Sequence, residues 1–202
     1  MDESAIAPLA HLIGNILHEP RPRARDIALD TLREGGRSQL TWNRLAAASP
    51  TAAVDMAQAV RSSQFDQIAD FVDRSERGIL VTSIHGGDYL LGLLKLTSLL
   101  RRQRQILVVR RRSASDVEER VFRQFSCGRH TVAIIRHGEG RTLQLIRALR
   151  RGEIVVALCD LPGSYGPTTE VQFLGHTMRL VNGPAELARL GQADIIPVTC
   201  SR

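Results

Sequence analysis

The 202-residue chain has little of several things that would point quickly to a function. Aromatic residues make up only 4% of it, too few to build the stacking platforms on which single-stranded nucleic acid rests. Its cysteines, Cys127, Cys159 and Cys200, stand far apart with no Cys-x-x-Cys pair. That spacing argues against a zinc site or a disulfide framework and for a reducing compartment. No window approaches the run of about 18 apolar residues that a membrane span needs. The N-terminus has no basic start followed by an unbroken apolar stretch, so no secretory signal is visible. On these grounds the chain reads as cytoplasmic. Lysine is almost missing: Lys95 is the only one, and the net charge of +6 is carried by arginine. A basic balance favours an anionic partner, and with so few aromatics nucleic acid is the weaker choice.

Familiar catalytic signatures are absent too. There is no GxxxxGK[ST] phosphate loop, and His137-Gly-Glu-Gly-Arg-Thr142 is an incomplete dinucleotide fingerprint. Pro162-Gly-Ser164-Tyr-Gly166 lacks the first glycine of a GxSxG elbow, which argues against a serine hydrolase. His130 and His137 have no ligand-type spacing and read as solvated surface histidines. No metal and no cofactor are expected.

What is present divides into two regions. Residues 1–76 read as a helical N-terminal cap. Ile6, Leu9, Ile13 and Ile16 form a stripe at helical spacing before Glu19-Pro20 breaks it. A second segment runs from about Asp26 to Arg33 and ends at Gly35-Gly36. Ser38 is placed to cap a third segment that contains Leu40 and Leu45, and Ser49-Pro50 interrupts that one. From residue 77 to 202 the pattern becomes alternating α/β. Strand-like runs at Ile79–Ile84, Ile106–Arg110, Thr131–Ile135, Ile154–Cys159 and Asp194–Thr199 are separated by helical stretches. Such alternation implies a mainly parallel central sheet covered by helices. The centre of this region is Gly78–Leu94, where a β-rich run ends in His85-Gly86-Gly87-Asp88 and a leucine-rich helix follows. A polar turn between a strand's C-terminus and a helix's N-terminus is where α/β proteins commonly place chemistry.

Several ordered segments carry a resemblance: Ser83-Ile-His85-Gly-Gly-Asp-Tyr-Leu90, Leu107-Val-Val-Arg-Arg111, Arg150-Arg-Gly-Glu-Ile-Val-Val-Ala-Leu-Cys-Asp160, Phe173-Leu-Gly175, Asn182-Gly-Pro-Ala-Glu-Leu-Ala188 and Ile195-Ile-Pro-Val198. Over about residues 60–202 the chain resembles the bacterial lipid A late acyltransferases, within the lysophospholipid acyltransferase superfamily. The resemblance implies transfer of an acyl chain from an acyl carrier protein or acyl-coenzyme A thioester to a hydroxyl or amine. It implies His85 as general base, Arg110 beside the acceptor, and substrate contacts from Phe173, Gly175, Asn182 and Gly183. The alternative is a non-catalytic homologue that binds acyl thioesters or lipid.

The chain departs from the family pattern at one telling place. The family's histidine is followed, after four intervening residues, by Asp or Glu, and here that position is Leu90. Asp88 is the only carboxylate in the turn and is taken as the partner of His85. Asp160, at the end of a later strand, is the other candidate from across the sheet. Such an acid would fix the imidazole tautomer and stabilise the imidazolium. The N–H groups of Gly86 and Gly87, or an arginine, could serve an oxyanion. The arginines of Arg101–Arg104 and Arg110–Arg112 are expected to steer an acidic carrier protein. Two further departures remain. The family's usual N-terminal apolar anchor is not visible, which leaves peripheral membrane contact in place of insertion. Members also usually continue beyond the Cys200-Ser-Arg202 end, so the chain reads as a minimal or C-terminally truncated homologue.

Overall fold

The computed structural model describes residues 3–61, 64–110, 115–136, 138, 140–161 and 163–200. Its centre is a five-stranded sheet made of β1 (Ile79–Ser83), β2 (Gln105–Arg110), β3 (Thr131–Arg136), β4 (Ile154–Leu158) and a later edge strand, β7 (Asp194–Pro197). The spatial order is β3-β2-β4-β1-β7, and every neighbouring pair is parallel. The central strands are runs of Val, Ile and Leu because both of their faces are covered. Ile79, Val81, Ile106, Val108, Ile154 and Val156 join one apolar cluster, and the alternating Leu80, Leu107 and Val155 join a second on the other face.

The first face is covered by α3 (Pro50–Gln58), α4 (Phe65–Arg74), α5 (Tyr89–Leu99) and α6 (Asp116–Arg123), the second by α7 (Arg141–Arg150) and α8 (Gly183–Gly191). The packing of α7 is close enough to require a glycine. A Cβ on Gly78 would meet the Leu149 carbonyl oxygen at 2.2 Å, so only glycine fits at the entry to β1.

The expected alternation and parallel sheet are observed, with strand boundaries shifted by at most two residues. Two local expectations are corrected. Gly35-Gly36 does not end a helix. After α1 (Glu3–Leu17), one helix, α2 (Arg21–Ala47), runs straight through them. Both ends of α2 are held by burial, Ala24 and Ala28 at the start and Thr41 and Leu45 near the finish. Two glycines in an exposed helix interior cost about 1 kcal/mol each, less than that anchoring supplies. Ser38 is therefore inside a helix, and its hydroxyl donates to the Gly87 carbonyl at 2.9 Å instead of capping. The second correction is an antiparallel hairpin, β5 (Thr168–Phe173) and β6 (His176–Val181), between β4 and α8. No strand was expected there.

Two charged or polar groups expected on the surface are buried. His130 is 6% exposed, with Nε2 against the Thr97 carbonyl at 3.0 Å. Arg104 is 4% exposed and donates to the carbonyls of Val72, Ser75, Arg77 and Gly152. It ties the C-terminal end of α4 to the loop that leads into β4. His137 and Pro162, named in the sequence motifs, lie outside the described residues.

Candidate active site

The register of the sheet assembles the site. β1 and β4 are adjacent and parallel, pairing Ile79 with Ile154 through Ser83 with Leu158. The same offset of 75 residues, carried two residues past the strand ends, sets His85 opposite Asp160. Asp160 Oδ1 lies 2.9 Å from His85 Nδ1, and Oδ2 accepts the His85 backbone N–H at 2.7 Å. One carboxylate thus fixes both the imidazole and the peptide that carries it. With Nδ1–H directed at a carboxylate, Nε2 is left as the ring's basic nitrogen. The pair is half open to solvent, with side-chain exposures of 50% for His85 and 35% for Asp160.

Asp88 is placed differently. It is 6% exposed, and its Oδ1 accepts a hydrogen bond from Thr41 Oγ1 of α2 at 3.0 Å. Its N–H donates to the Cys200 carbonyl at 3.1 Å, and its own carbonyl accepts from Leu91 and Gly92 as α5 begins. The acid that meets His85 is Asp160, on the neighbouring strand. Asp88 instead anchors the turn from beneath, together with the Ser38–Gly87 bond. Leu90, at the family's acid position, is 2% exposed and belongs to the core. Gly87, at φ +59°, takes the left-handed conformation that lets the chain turn between His85 and α5.

His85 opens onto a cleft of about 520 Å³, a size usual for small-molecule sites. Val109, Leu145, Ala157, Leu158, Leu161, Val181, Leu187 and Leu190 make it largely apolar. Arg110, Asn182 and Gly183 also line it, so the strand end and the Asn-Gly-Pro turn expected to meet substrate do reach the same space as His85. Arg110 is not a bare cation. It is ion-paired with Glu118, both side chains being mostly buried, and its guanidinium lies 5.6 Å from the centre of the Phe122 ring. Glu118 is itself held in a capping box with Ser115 at the start of α6. Phe173 and Gly175 stand at the far end of the β5–β6 hairpin and are not among the residues that line the cleft.

Of the two arginine runs, Arg101–Arg104 precedes β2 and so lies at the opposite edge of the sheet from His85. Arg101 is paired with Asp70 and Asp73, and Arg104 is buried. Arg104 is therefore a structural residue, while Arg101 and Arg102 stay exposed on the surface, Arg102 donating to the Ser75 carbonyl. Arg111 and Arg112 lie outside the described residues.

One site residue was missed in the sequence. Tyr89 sets its ring edge-on to His85, with centroids 6.2 Å apart and planes at 73°. Burial pushes its phenol up to about 12, the Asp160 and Glu118 charges acting in the same direction and Arg110 against them. At neutral pH it is therefore a protonated donor. Its only sequence signal was its place directly after the glycine turn.

These features define an α/β protein in which a histidine–aspartate pair opens on an apolar cleft at the C-terminal edge of a parallel sheet. The model of the bacterial lipid A biosynthesis acyltransferase family matches residues 40–202, and the chain belongs to that family. The match begins within α2, so it includes Thr41 as well as every segment that carried the resemblance. No curated protein matches the chain.

Proposed function

We propose that the protein transfers an acyl chain from an acyl thioester, on an acyl carrier protein or coenzyme A, to a hydroxyl or amine. The observation that carries this reading is the Asp160–His85 pair at the mouth of the apolar cleft. His85 Nε2 takes the proton from the acceptor as its oxygen or nitrogen attacks the thioester carbonyl carbon. Asp160 holds the Nδ1 proton and stabilises the imidazolium. The tetrahedral oxyanion is met by donors at the turn, the N–H groups of Gly86 and Gly87. It collapses by breaking the C–S bond, and the imidazolium returns its proton to the departing thiolate.

In this reading Asp160 takes the role first given to Asp88. Residues 1–76 cap a core of residues 77–202, and the apolar cleft walls receive the acyl chain. The reaction runs in the cytoplasm without metal or organic cofactor. Arg110, already paired with Glu118, shapes the acceptor end of the cleft.

The test is acceptor-dependent release of free thiol from a panel of acyl thioesters, read beside mass analysis of the acceptor. Wild type releases thiol and acylates the acceptor, while His85→Ala loses both and melts close to wild type. A wild-type protein that binds the thioester without releasing thiol would instead be the non-catalytic homologue, with Leu90 marking a lost acid.

A further inference from the structure

The β5–β6 hairpin is built against the rules of its own turn. Phe173 pairs with His176, so the connection is the two residues Leu174 and Gly175. Both have positive φ, +51° and +78°. This is the primed two-residue turn for which Asn-Gly, Asp-Gly or Gly-Gly is the usual solution. Gly175 fits that requirement, but a leucine in the left-handed region carries a steric cost that asparagine largely escapes. Nor does the leucine gain burial in return. Leu174 is 56% exposed, Phe173 beside it 54%, and Met178 40%. Fold stability and solubility both disfavour an apolar side chain at this point, so its presence points to something outside the chain.

We infer that the hairpin tip dips into the surface of a lipid bilayer containing anionic lipid. Shape, charge and position select this occupant. The tip is convex and offers a few protruding side chains. A protein partner needs a packed patch of about 800 Å² on each side, whereas a bilayer needs no matching contour. Beside the tip, His176 Nε2 meets the Ile16 carbonyl of α1 at 2.7 Å, and His18 stacks on His176 at 5.5 Å. The exposed Leu17 therefore stands next to the hairpin. Just beyond follow Arg21 and Arg23, and Arg179 lies on β6. Arg179 faces the exposed Glu170 across the hairpin and donates to Thr168 Oγ1 at 3.2 Å, but none of the three exposed arginines is in an ion pair among the described residues, and together they suit anionic headgroups. At its other end the hairpin reaches the reaction site, since Pro167 and Val181 line the cleft. The inference does not depend on the proposed reaction.

The experiment is co-sedimentation of the full chain with vesicles of phosphatidylcholine, with and without phosphatidylglycerol, together with thermal melts. The wild-type protein pellets with the anionic vesicles, less with phosphatidylcholine alone, and less again as salt rises. Leu174→Asn weakens vesicle binding about tenfold, while its melting temperature stays level or rises by about 2–4 °C as the turn relaxes. Arg179→Gln weakens binding to anionic vesicles only. The inference is overturned if wild type ignores both vesicles or if Leu174→Asn binds as well as wild type. It is equally overturned if Leu174→Asn melts lower, which would make the leucine a folding residue. Concentration-dependent dimerisation abolished by Leu174→Asn would show that a second copy covers the tip, and would also overturn it.

Discussion

Replacing Asp160 by asparagine is the sharpest probe of the proposed chemistry, because the side chain keeps its shape and loses only charge and one acceptor. In the native pair Oδ2 accepts the His85 backbone N–H and Oδ1 faces Nδ1. Asparagine can satisfy only one of these. If its oxygen keeps the backbone N–H, its NH₂ faces Nδ1, and the imidazole proton is driven to Nε2, where the base should be. If it flips, two donors meet at the backbone. In a buried triad the wrong tautomer lowers turnover by about 10⁴-fold. His85 and Asp160 are 50% and 35% exposed, so water shares in stabilising the imidazolium. We therefore expect a smaller loss of about 10²–10³ in kcat, or roughly 3–4 kcal/mol of barrier. Since Asp160 is not among the cleft-lining residues, KM should change little. Stability should fall by about 1 kcal/mol or less, as for a partly screened charged bond. Single-turnover acyl transfer, with Asp88→Asn measured beside it, decides the matter. A kcat for Asp160→Asn within tenfold of wild type, or a larger loss in Asp88→Asn with wild-type stability, would refute the reasoning.

Two other perturbations follow from the geometry. Thr41→Val removes a buried donor from the Asp88 carboxylate, which should cost about 1–2 kcal/mol in urea unfolding and lower kcat through a looser turn, while Thr41→Ser keeps both near wild type. A valine variant as stable as wild type would show that this bond holds nothing in place. Burial holds the His130 imidazole below its ordinary 6.5, against the Thr97 carbonyl's opposing pull, so the folded state resists a proton that the unfolded chain accepts. The stability this supplies is complete above about that ordinary value and is lost as pH falls through the folded one. His130→Gln should flatten that part of the melting-temperature profile below neutrality, and an unchanged slope would assign it to other groups.

Much of the fold was legible because the signals were long and physically overdetermined. Ile79–Ser83, Gln105–Arg110 and Ile154–Leu158 are apolar on both faces, and buried parallel strands are the economical reading of such runs between helices. The hairpin escaped notice because Thr168–Phe173 and His176–Val181 are largely exposed, so neither presents an apolar run. Gly35-Gly36 reads locally as a stop, yet the distant packing that holds α2 at both ends overrides that propensity. At the site, His85 was marked by its turn. Its partner was one of two candidate acids, and the choice between them was not legible, since a carboxylate 75 residues away becomes a neighbour only through strand order and register. Asp88 was the natural choice by proximity in the chain, yet a helix-start residue directly after a glycine turn is as easily directed under the turn as toward it. Arg104 and His130 had no sequence mark of burial, because what buries them is the carbonyl groups they satisfy.

The position of β4 between β2 and β1 also constrains the order in which the molecule can come into being. β1 and β2 leave a newly made chain first, yet in the finished sheet they do not touch. A slot must stay open between them until Ile154–Leu158 has been made and threaded in. Until then each of those strands has an unfilled edge, the kind that recruits stray strands and slows folding. His85 is in place early but has no Asp160 to hold it. The insertion that closes the sheet also completes the reactive pair, so half-built protein carries the histidine without its acid.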